Sequence, residues 1–300
     1  TEIILINDRS QDQTLNIMKR FAQQQPNIKF ITIKNKLPGI APKKRAITEA
    51  IKQAQHEIII TTDADTTPGK NWIKEMVSSY TENTGMVLGY APYRTSPPYN
   101  TLFHKILALE YFVMGAVTAA TSGLGIPLTC NGANLSYKRK LFEQIGGFGD
   151  AIKWMSGDDD LLMHRILQKS DQKINYALAK TAAVFNDPPR NLVSFFRQRI
   201  RFCSKHMAYP GKVIFFLSLI YLFYLMLAGL IITVFFFPKL WLILISILVI
   251  KTFFEIQFLF PAQHLLEDRH LIRYYPLAVI PHIFYVVIFP LLGLLLPKRW

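Results

Sequence analysis

Acidic and basic side chains gather at four places in this chain where chemistry is open to them. In IIITTDADTTP, Asp63 and Asp65 stand one residue apart after an apolar run. In an extended turn both carboxylates reach one hard cation, and without it their repulsion makes the pair costly, so a divalent metal, Mg²⁺ or Mn²⁺, is the favoured reading. In SGDDDLLMHRI, Asp158, Asp159 and Asp160 open a stretch where Leu161, Leu162, Ile166 and Leu167 share a helical face. The helix dipole stabilises carboxylates there, which accounts for a cap. Three in a row exceed a cap, and a crowded carboxyl whose pKa is raised can serve as general base near neutral pH. Asp8, in INDRSQDQT, suits a helix-capping turn as well as a ligand contact. In QRIRF (Gln198 to Phe202), Arg201 offers a planar, permanently charged fork for phosphate oxygens, whereas Arg199 beside it reads as a phospholipid-headgroup contact.

The elements that must carry these groups follow from periodicity. Apolar, β-rich runs at Glu2–Ile6, Ile28–Ile33, Glu57–Thr62 and Met86–Tyr90 are each followed by turn residues and helical spacing. Leu15, Met18 and Ala22 mark the first helix; Ala46, Ile47, Ala50 and Ile51 mark the second, after Pro42. Successive βαβ units predict an α/β domain on a parallel sheet, whose ligands bind at the carboxyl ends of the strands, where Asp8, Asp63 and Asp65 fall. TCNGANLSYKRKLFEQIGGFGD reads as a turn, a helix and a C-cap at Gly146–Gly147. The chain opens inside a strand without an initiator Met, so an upstream βα unit of about 30 residues is expected.

Composition then separates a polar part from an apolar one. The chain is 51% apolar, and its mean hydropathy of +0.21 excludes a disordered or fibrous chain. Two cysteines, Cys130 and Cys203, make neither a disulfide framework nor a zinc site, which points to a reducing, cytosol-facing location. Net charge is +14, and residues 1–212 carry +11 of it. Within 190–212, Arg190, Arg197, Arg199, Arg201, Lys205 and Lys212 stand without an acid directly before Val213–Phe237, 25 residues without a charge. Such a cluster reads as the positive-inside flank of a membrane span, and the partner it implies is lipid, not nucleic acid. Leu240–Phe260 and Pro276–Leu296 are two further apolar segments. Lys251 and Glu255 share a face of the first at i,i+4 spacing and are expected to pair; Pro281 and Pro290 interrupt the second. Three spans would leave Lys298 and Arg299 outside, against the positive-inside rule; either the second segment is a re-entrant hairpin or two charges are too few to matter. Ile106–Leu128 suits a membrane-surface helix or a buried one equally.

Taken in order, INDRSQDQT, APKKRAITEAI, TTDAD, CNGANLSYKRKLFEQIGGF, SGDDD and QRIRF, followed by membrane helices, resemble the membrane-bound family 2 glycosyltransferases of the GT-A fold, among them ceramide-glucosyltransferase-like enzymes and processive polysaccharide synthases. The resemblance implies a GT-A domain over 1–190, Rossmann-like with a mostly parallel sheet, an interfacial segment over 191–212, and a membrane domain with about three spans over 213–300. It implies an inverting hexosyltransferase of the plasma membrane of a bacterium, its catalytic domain cytosolic, using a nucleotide-sugar (UDP-sugar) donor and a lipid or glycan acceptor. Asp8 matches the base-contacting aspartate, Lys43 the lysine of the Gly-Lys loop with Pro42 in place of its glycine, and Asp63 and Asp65 the DxD pair. Asp159 fits the GDD form of the catalytic aspartate, with Arg165 six residues on, and Asp158 fits the EDxDL form; the first is preferred. In QxxRW, Gln198 and Phe202 fall on acceptor-binding positions, with Phe for Trp, and Arg201 on the diphosphate contact.

Two rivals account for part of the pattern. DxDxT also suits a haloacid-dehalogenase-like phosphohydrolase with Asp63 as nucleophile, but leaves Asp8, Lys43 and QRIRF without a role. A non-catalytic transporter or scaffold would have one intramembrane ion pair as its pathway.

Overall fold

The structure, a computed structural model, describes residues 1–296. The chain runs β1 (Ile3–Asp8), α1 (Thr14–Gln24), β2 (Ile28–Ile33), α2 (Pro42–Gln53), β3 (Ile58–Thr61), β4 (Thr67–Pro68), α3 (Trp72–Ser78) and β5 (Thr84–Gly89). Each apolar run is a strand and each helical spacing a helix. Pro42 opens α2 where its missing N–H would be unpaired anyway. There follow α4 (Leu102–Gly123), β6 (Leu135–Lys138), α5 (Arg139–Gln144), α6 (Asp160–Lys169), β7 (Lys173–Ala177), β8 (Val184–Phe185) and α7 (Leu192–Cys203). Three long apolar helices close the described chain: α8 (Gly211–Thr233), α9 (Trp241–Leu265) and α10 (Tyr275–Leu295).

The α/β class is as expected, with one change in the sheet. β1 and β2 pair in parallel, as do β5 and β7, but the four-stranded order is β3-β6-β5-β7 and β6 runs antiparallel to both neighbours. β3 and β5 are therefore not adjacent, as a purely parallel sheet would have them. Four residues long and half polar (LSYK), β6 carries no apolar run, and its segment reads as turn and helix. It is nonetheless buried on both faces: Leu135, Ser136 and Tyr137 are each at most 1% exposed. The main core joins this sheet to α5 and α6 through Met86, Leu88, Leu135, Tyr137, Phe142, Leu162, Met163 and Ile166. Burial of such side chains contributes roughly 1.5–3 kcal/mol each, enough to hold the start of α6 against the strand ends.

Of the two placements open to the stretch around α4, the structure shows the buried one. Leu107, Phe112 and Ala116 pack in a cluster with Tyr90, Tyr93, Leu259, Leu266 and Tyr275. By length and hydropathy four helices could cross a membrane, but α4 has 44% of its apolar window buried in the protein against 17% for each of the other three. Lys251 and Glu255 pair at 2.6 Å as their spacing predicts, and the hydroxyls of Tyr224 and Tyr275 also bond Glu255. α9 ends against the α/β domain, where Asp268 accepts from the Tyr90 hydroxyl and Glu267 pairs with Lys180. Both ends of α10 meet elements outside the apolar helices: Tyr275 joins the Tyr90 cluster, and Gly293 packs so closely on Cys203 and Ser204 that a Cβ there would lie 2.7 Å from Cys203 Cβ. Lys298 and Arg299 lie outside the described residues.

Candidate active site

The first turn of α2 organises the site because consecutive helical residues point about 100° apart. Lys44 turns inward, 1% exposed, and donates to the carbonyls of Ala151, Trp154 and Ser156 at 2.7, 2.9 and 2.9 Å. Burial pushes its pKa down to about 8, against the pull of the neighbouring carboxylates. Together with the Ala41 N–H on the Ile152 carbonyl (2.8 Å), these bonds staple the helix start to the loop before the acidic triplet. Lys43 points the other way. Its ammonium sits between two carboxylates from distant parts of the chain, 2.6 Å from Asp63 Oδ1 and 2.8 Å from Asp158 Oδ2. Although burial opposes its charge, these two carboxylates raise its pKa, so the ammonium stays charged.

The triplet begins after Gly157, whose φ of +84° is one that L side chains rarely adopt. Its three members have different partners. Asp158 faces Lys43. Asp159 is the N-cap of α6: one oxygen accepts the Asp160 N–H (2.8 Å), the other the Gly132 N–H (3.0 Å), and Lys205 Nζ lies 3.3 Å away. Gly132 has no room for a side chain without crowding, since a Cβ would lie 3.0 Å from Asp158 Oδ2. Asp160, 2% exposed, pairs with Lys205 at 2.7 Å and accepts from the Tyr209 hydroxyl. Burial raises the Asp160 pKa beyond what Lys205 offsets, while at Asp159 Lys205 and the Asp160 N–H overcome burial and hold the carboxyl low. The raised carboxyl expected of the triplet is thus Asp160, not Asp159. Arg165 turns away to the Ile145 carbonyl (3.0 and 2.6 Å), bracing the loop through Gly146, Gly147 and Gly149.

Asp63 and Asp65 occupy the turn after β3, shaped by the Thr66 N–H and hydroxyl on the Asp63 carbonyl (3.3 and 2.7 Å). Asp63 is half-buried and Asp65 exposed. Among the described residues no three His, Cys, Asp or Glu side chains converge into a closed metal cage. Two oxygen donors on an open turn, one already neutralised by an ammonium, fit a hard cation that keeps most of its coordination for water and phosphate oxygens. Asp8 ends β1 and pairs with the adjacent Arg9 at 2.8 Å.

QRIRF lies on α7, and here two expectations are corrected. Arg199 does not reach lipid headgroups: it is 1% exposed, bonded to Glu110 at 2.7 Å, and ringed by Tyr111, Phe195, Phe202 and Tyr285 within 5.8 Å. Nor is Lys205 part of a lipid-facing flank, being the buried partner of Asp159 and Asp160. A run of basic residues looks uniform in sequence, but a helix distributes it over opposite faces. Gln198 accepts from the Tyr93 hydroxyl at 3.0 Å. Arg201 is exposed and lines a surface groove with Asn191, Ser194, Arg197 and Gln198; its guanidinium carbon lies 5.4 Å from the Phe202 ring centre.

Lys44, Lys205, Tyr209 and Gly132 are the site residues that sequence reasoning missed. Asn134 is another, fully buried, its amide donating to the Tyr90 and Ala182 carbonyls (both 2.8 Å) and accepting from Trp72 (2.9 Å). Its signal was present in CNGAN, where a second asparagine two residues after the glycine is more than a turn needs.

An acidic strand-end turn, an acidic helix start and a lysine joining them sit on an α/β domain of the GT-A glycosyltransferase class. Residues 1–289 match the family described as Glycosyl transferase family 21, and the chain belongs to that family. It is 26% identical over 207 residues to the poly-beta-1,6-N-acetyl-D-glucosamine synthase of Staphylococcus epidermidis, covering 68% of this chain and 47% of that protein. To the probable glycosyltransferase YdaM of Bacillus subtilis it is 26% identical over 163 residues, covering 53% of this chain and 38% of that one. The chain thus spans about half the length or less of these relatives. Among solved structures, the mannosyltransferase PcManGT of Pyrobaculum calidifontis, in complex with GDP-Man and Mn²⁺, superposes with a TM-score of 0.49 at 21% identity, over 68% of this chain and 52% of that one.

Proposed function

We propose that this chain is the catalytic and membrane portion of an inverting glycosyltransferase that moves a sugar from a nucleotide donor, UDP-linked, to a lipid or polysaccharide acceptor at the cytosolic face of a bacterial plasma membrane. The observation that carries the proposal is Lys43 held between Asp63 and Asp158. It brings a phosphate-binding type of cation, a metal-binding type of carboxylate and a base within one side chain of each other. Family membership and the curated relatives favour this reading over a phosphohydrolase or a transporter.

Asp63 and Asp65 would hold Mg²⁺ or Mn²⁺, which supplies charge neutralisation for the leaving diphosphate. Lys43, released from Asp63, turns to the same phosphate oxygens. Asp8 at the end of β1 accepts from the nucleotide base. Asp158 then takes the proton of the acceptor hydroxyl as that oxygen bonds the anomeric carbon and the carbon–diphosphate bond breaks. One base and one displacement invert the centre. Of the two aspartates that sequence matching offers for this role, Asp158 is favoured, because both oxygens of Asp159 are committed to backbone N–H groups. Arg201 and Gln198 line the groove on α7 by which the acceptor reaches the bilayer, with the Phe202 ring beside Arg201. The contacts of Tyr275 and Gly293 support α8 and α9 as a crossing hairpin, with α10 lying along the catalytic side.

The test is turnover by the full-length protein in membranes. UDP release from a UDP-sugar, with a glycosylated product by mass spectrometry and its loss in Asp65→Ala, is the expected result. Hydrolysis of phosphomonoesters without release of any nucleoside diphosphate would overturn the reading.

A further inference from the structure

Lys205 has no place in the transfer chemistry, yet it is a buried cation beside it. It is 6% exposed and placed two residues past the end of α7, in the segment that leads into the apolar helices. Its ammonium reaches two carboxylates at the start of α6, Asp160 at 2.7 Å and Asp159 at 3.3 Å. Tyr209, still nearer the first apolar helix, closes on Asp160 from the same side, and its ring packs on His164, 5.2 Å between centres. Behind Lys205, Gly293 of α10 presses against Cys203 and Ser204, leaving the segment no room to recede.

The carboxylate that Lys205 holds has a further partner. Asp159 Oδ2 takes the Gly132 N–H at 3.0 Å, and Gly132 lies against Asp158. A single rotamer of Asp159 thus fixes the 130–134 loop and the direction of its neighbour Asp158. Around the triplet stand Lys43 and Lys44 from α2 and Lys205 from the membrane-entry segment, three cations for three carboxylates. Two of these cations come from the α/β domain. The third belongs to the part of the chain that enters the bilayer.

We infer that Lys205 is a positioning residue: from the membrane-entry segment it pins Asp159 onto the Gly132 amide and so keeps Asp158 aimed at the acceptor. The inference rests on the glycosyltransferase reading for its effect on turnover, but not for its effect on the loop. Lys205→Met alone would strand a buried negative charge and could unfold the site, so the decisive variant is Lys205→Met combined with Asp160→Asn, which removes one charge of each sign. In full-length protein this pair should melt within a few degrees of the parent. Its kcat should fall at least tenfold with donor KM within threefold, and hydrogen exchange across residues 130–134 should speed up at least tenfold, because Asp159 has lost the cation that holds it. Asp160→Asn with Lys205 intact should keep exchange in that loop at the parental rate. If the double variant recovers both parental kcat and parental exchange, Lys205 only balances charge and the inference is wrong. If the parent turns over no nucleotide sugar, the glycosyltransferase reading fails while the exchange result still decides the role of Lys205: faster exchange sustains it and unchanged exchange overturns it.

Discussion

The acidic triplet has an open side and a closed side. On the open side Lys43 bridges Asp63 and Asp158 with side chains 43%, 36% and 13% exposed; on the closed side Lys205 bridges Asp159 and Asp160 with side chains 8%, 16% and 2% exposed. The partner types are identical, yet the consequences differ. A cation near water exchanges partners at little expense, since exposed ion pairs contribute about 0–1 kcal/mol. A buried one is fixed, because taking away either partner leaves a charge that water does not solvate. A transferase needs both kinds: a lysine that lets go of a carboxylate when a diphosphate arrives, and a scaffold that does not move while it does. Arg201 and Arg199 repeat the contrast two residues apart on α7.

The widest gap between the two sides should appear in turnover. Asp158→Asn removes the carboxylate proposed as base on the open side and should lower kcat on the order of 10³-fold with donor KM within a few fold, as loss of a general base does. Asp159→Asn keeps the N-cap oxygen and should cost less in kcat, its larger effect being on melting temperature. Steady-state kinetics of both variants in membranes check this. The opposite order would make Asp159 the base and dissolve the distinction drawn here.

Next in size is a change confined to the closed side. Arg199→Met takes from Glu110 the cation that four rings enclose and should destabilise the full-length protein by about 3–5 kcal/mol, read as a fall in melting temperature in detergent. Arg201→Met, on the exposed face of the same helix, should leave melting unchanged while weakening activity. Equal melting losses for the two would show that α7 is buried on both faces in the working protein.

How far the sequence discloses this site follows from the same division. Asp63, Asp65 and the triplet are legible because strand and helix periodicity places them at the ends of elements, where ligands of open sheets bind. Lys43 is legible only through the motif order, and its neighbour Lys44 not at all, since adjacent lysines look alike until a helix turns one inward. Lys205 was hidden by its company: within six basic residues before an apolar run, charge alone says membrane. β6 was hidden because it is four residues long and breaks the apolar run expected of a doubly buried strand with Ser136, whose burial is offset by a hydrogen bond with the Tyr80 hydroxyl. Open-side residues answer to local pattern; closed-side residues answer to packing between segments more than 40 positions apart.

Acid should reach the closed side first. His164 is 4% exposed, and burial lowers its pKa to about 4, with Lys205 adding to the effect and a backbone contact at Leu128 opposing it. Its folded pKa lies below the unfolded value of about 6.5, so the unfolded chain binds more protons between the two values and stability falls as pH drops from about 6.5 to 4. The 2.5-unit gap corresponds to roughly 3 kcal/mol from His164 across that window; buried His206, lowered to about 4, adds to the loss, and Asp160, whose raised pKa lets the folded chain take up a proton first, opposes it. Melting temperature against pH should therefore slope downward below pH 6.5 in the parent and be flatter in His164→Gln, with Tyr209 and Lys205 still in place. A parallel slope in both would assign the acid sensitivity to other groups.

The smallest effect expected lies where the two sides meet. The Phe202 ring has the buried Arg199 guanidinium 5.7 Å from its centre and the exposed Arg201 guanidinium at 5.4 Å, so one half-buried ring ties an exposed cation to a buried one. Such contacts contribute about 0.5–1 kcal/mol at accessible sites, which converts to a roughly 2- to 5-fold change in an equilibrium constant. Phe202→Ala should accordingly raise acceptor KM by that factor with donor KM and melting temperature unchanged, and Phe202→Trp, with a larger ring beside the same Arg201 guanidinium, should restore or improve it. Acceptor kinetics that stay at the parental value, with only a lower yield of protein in membranes, would make Phe202 a lipid anchor and leave Arg201 to hold its own position.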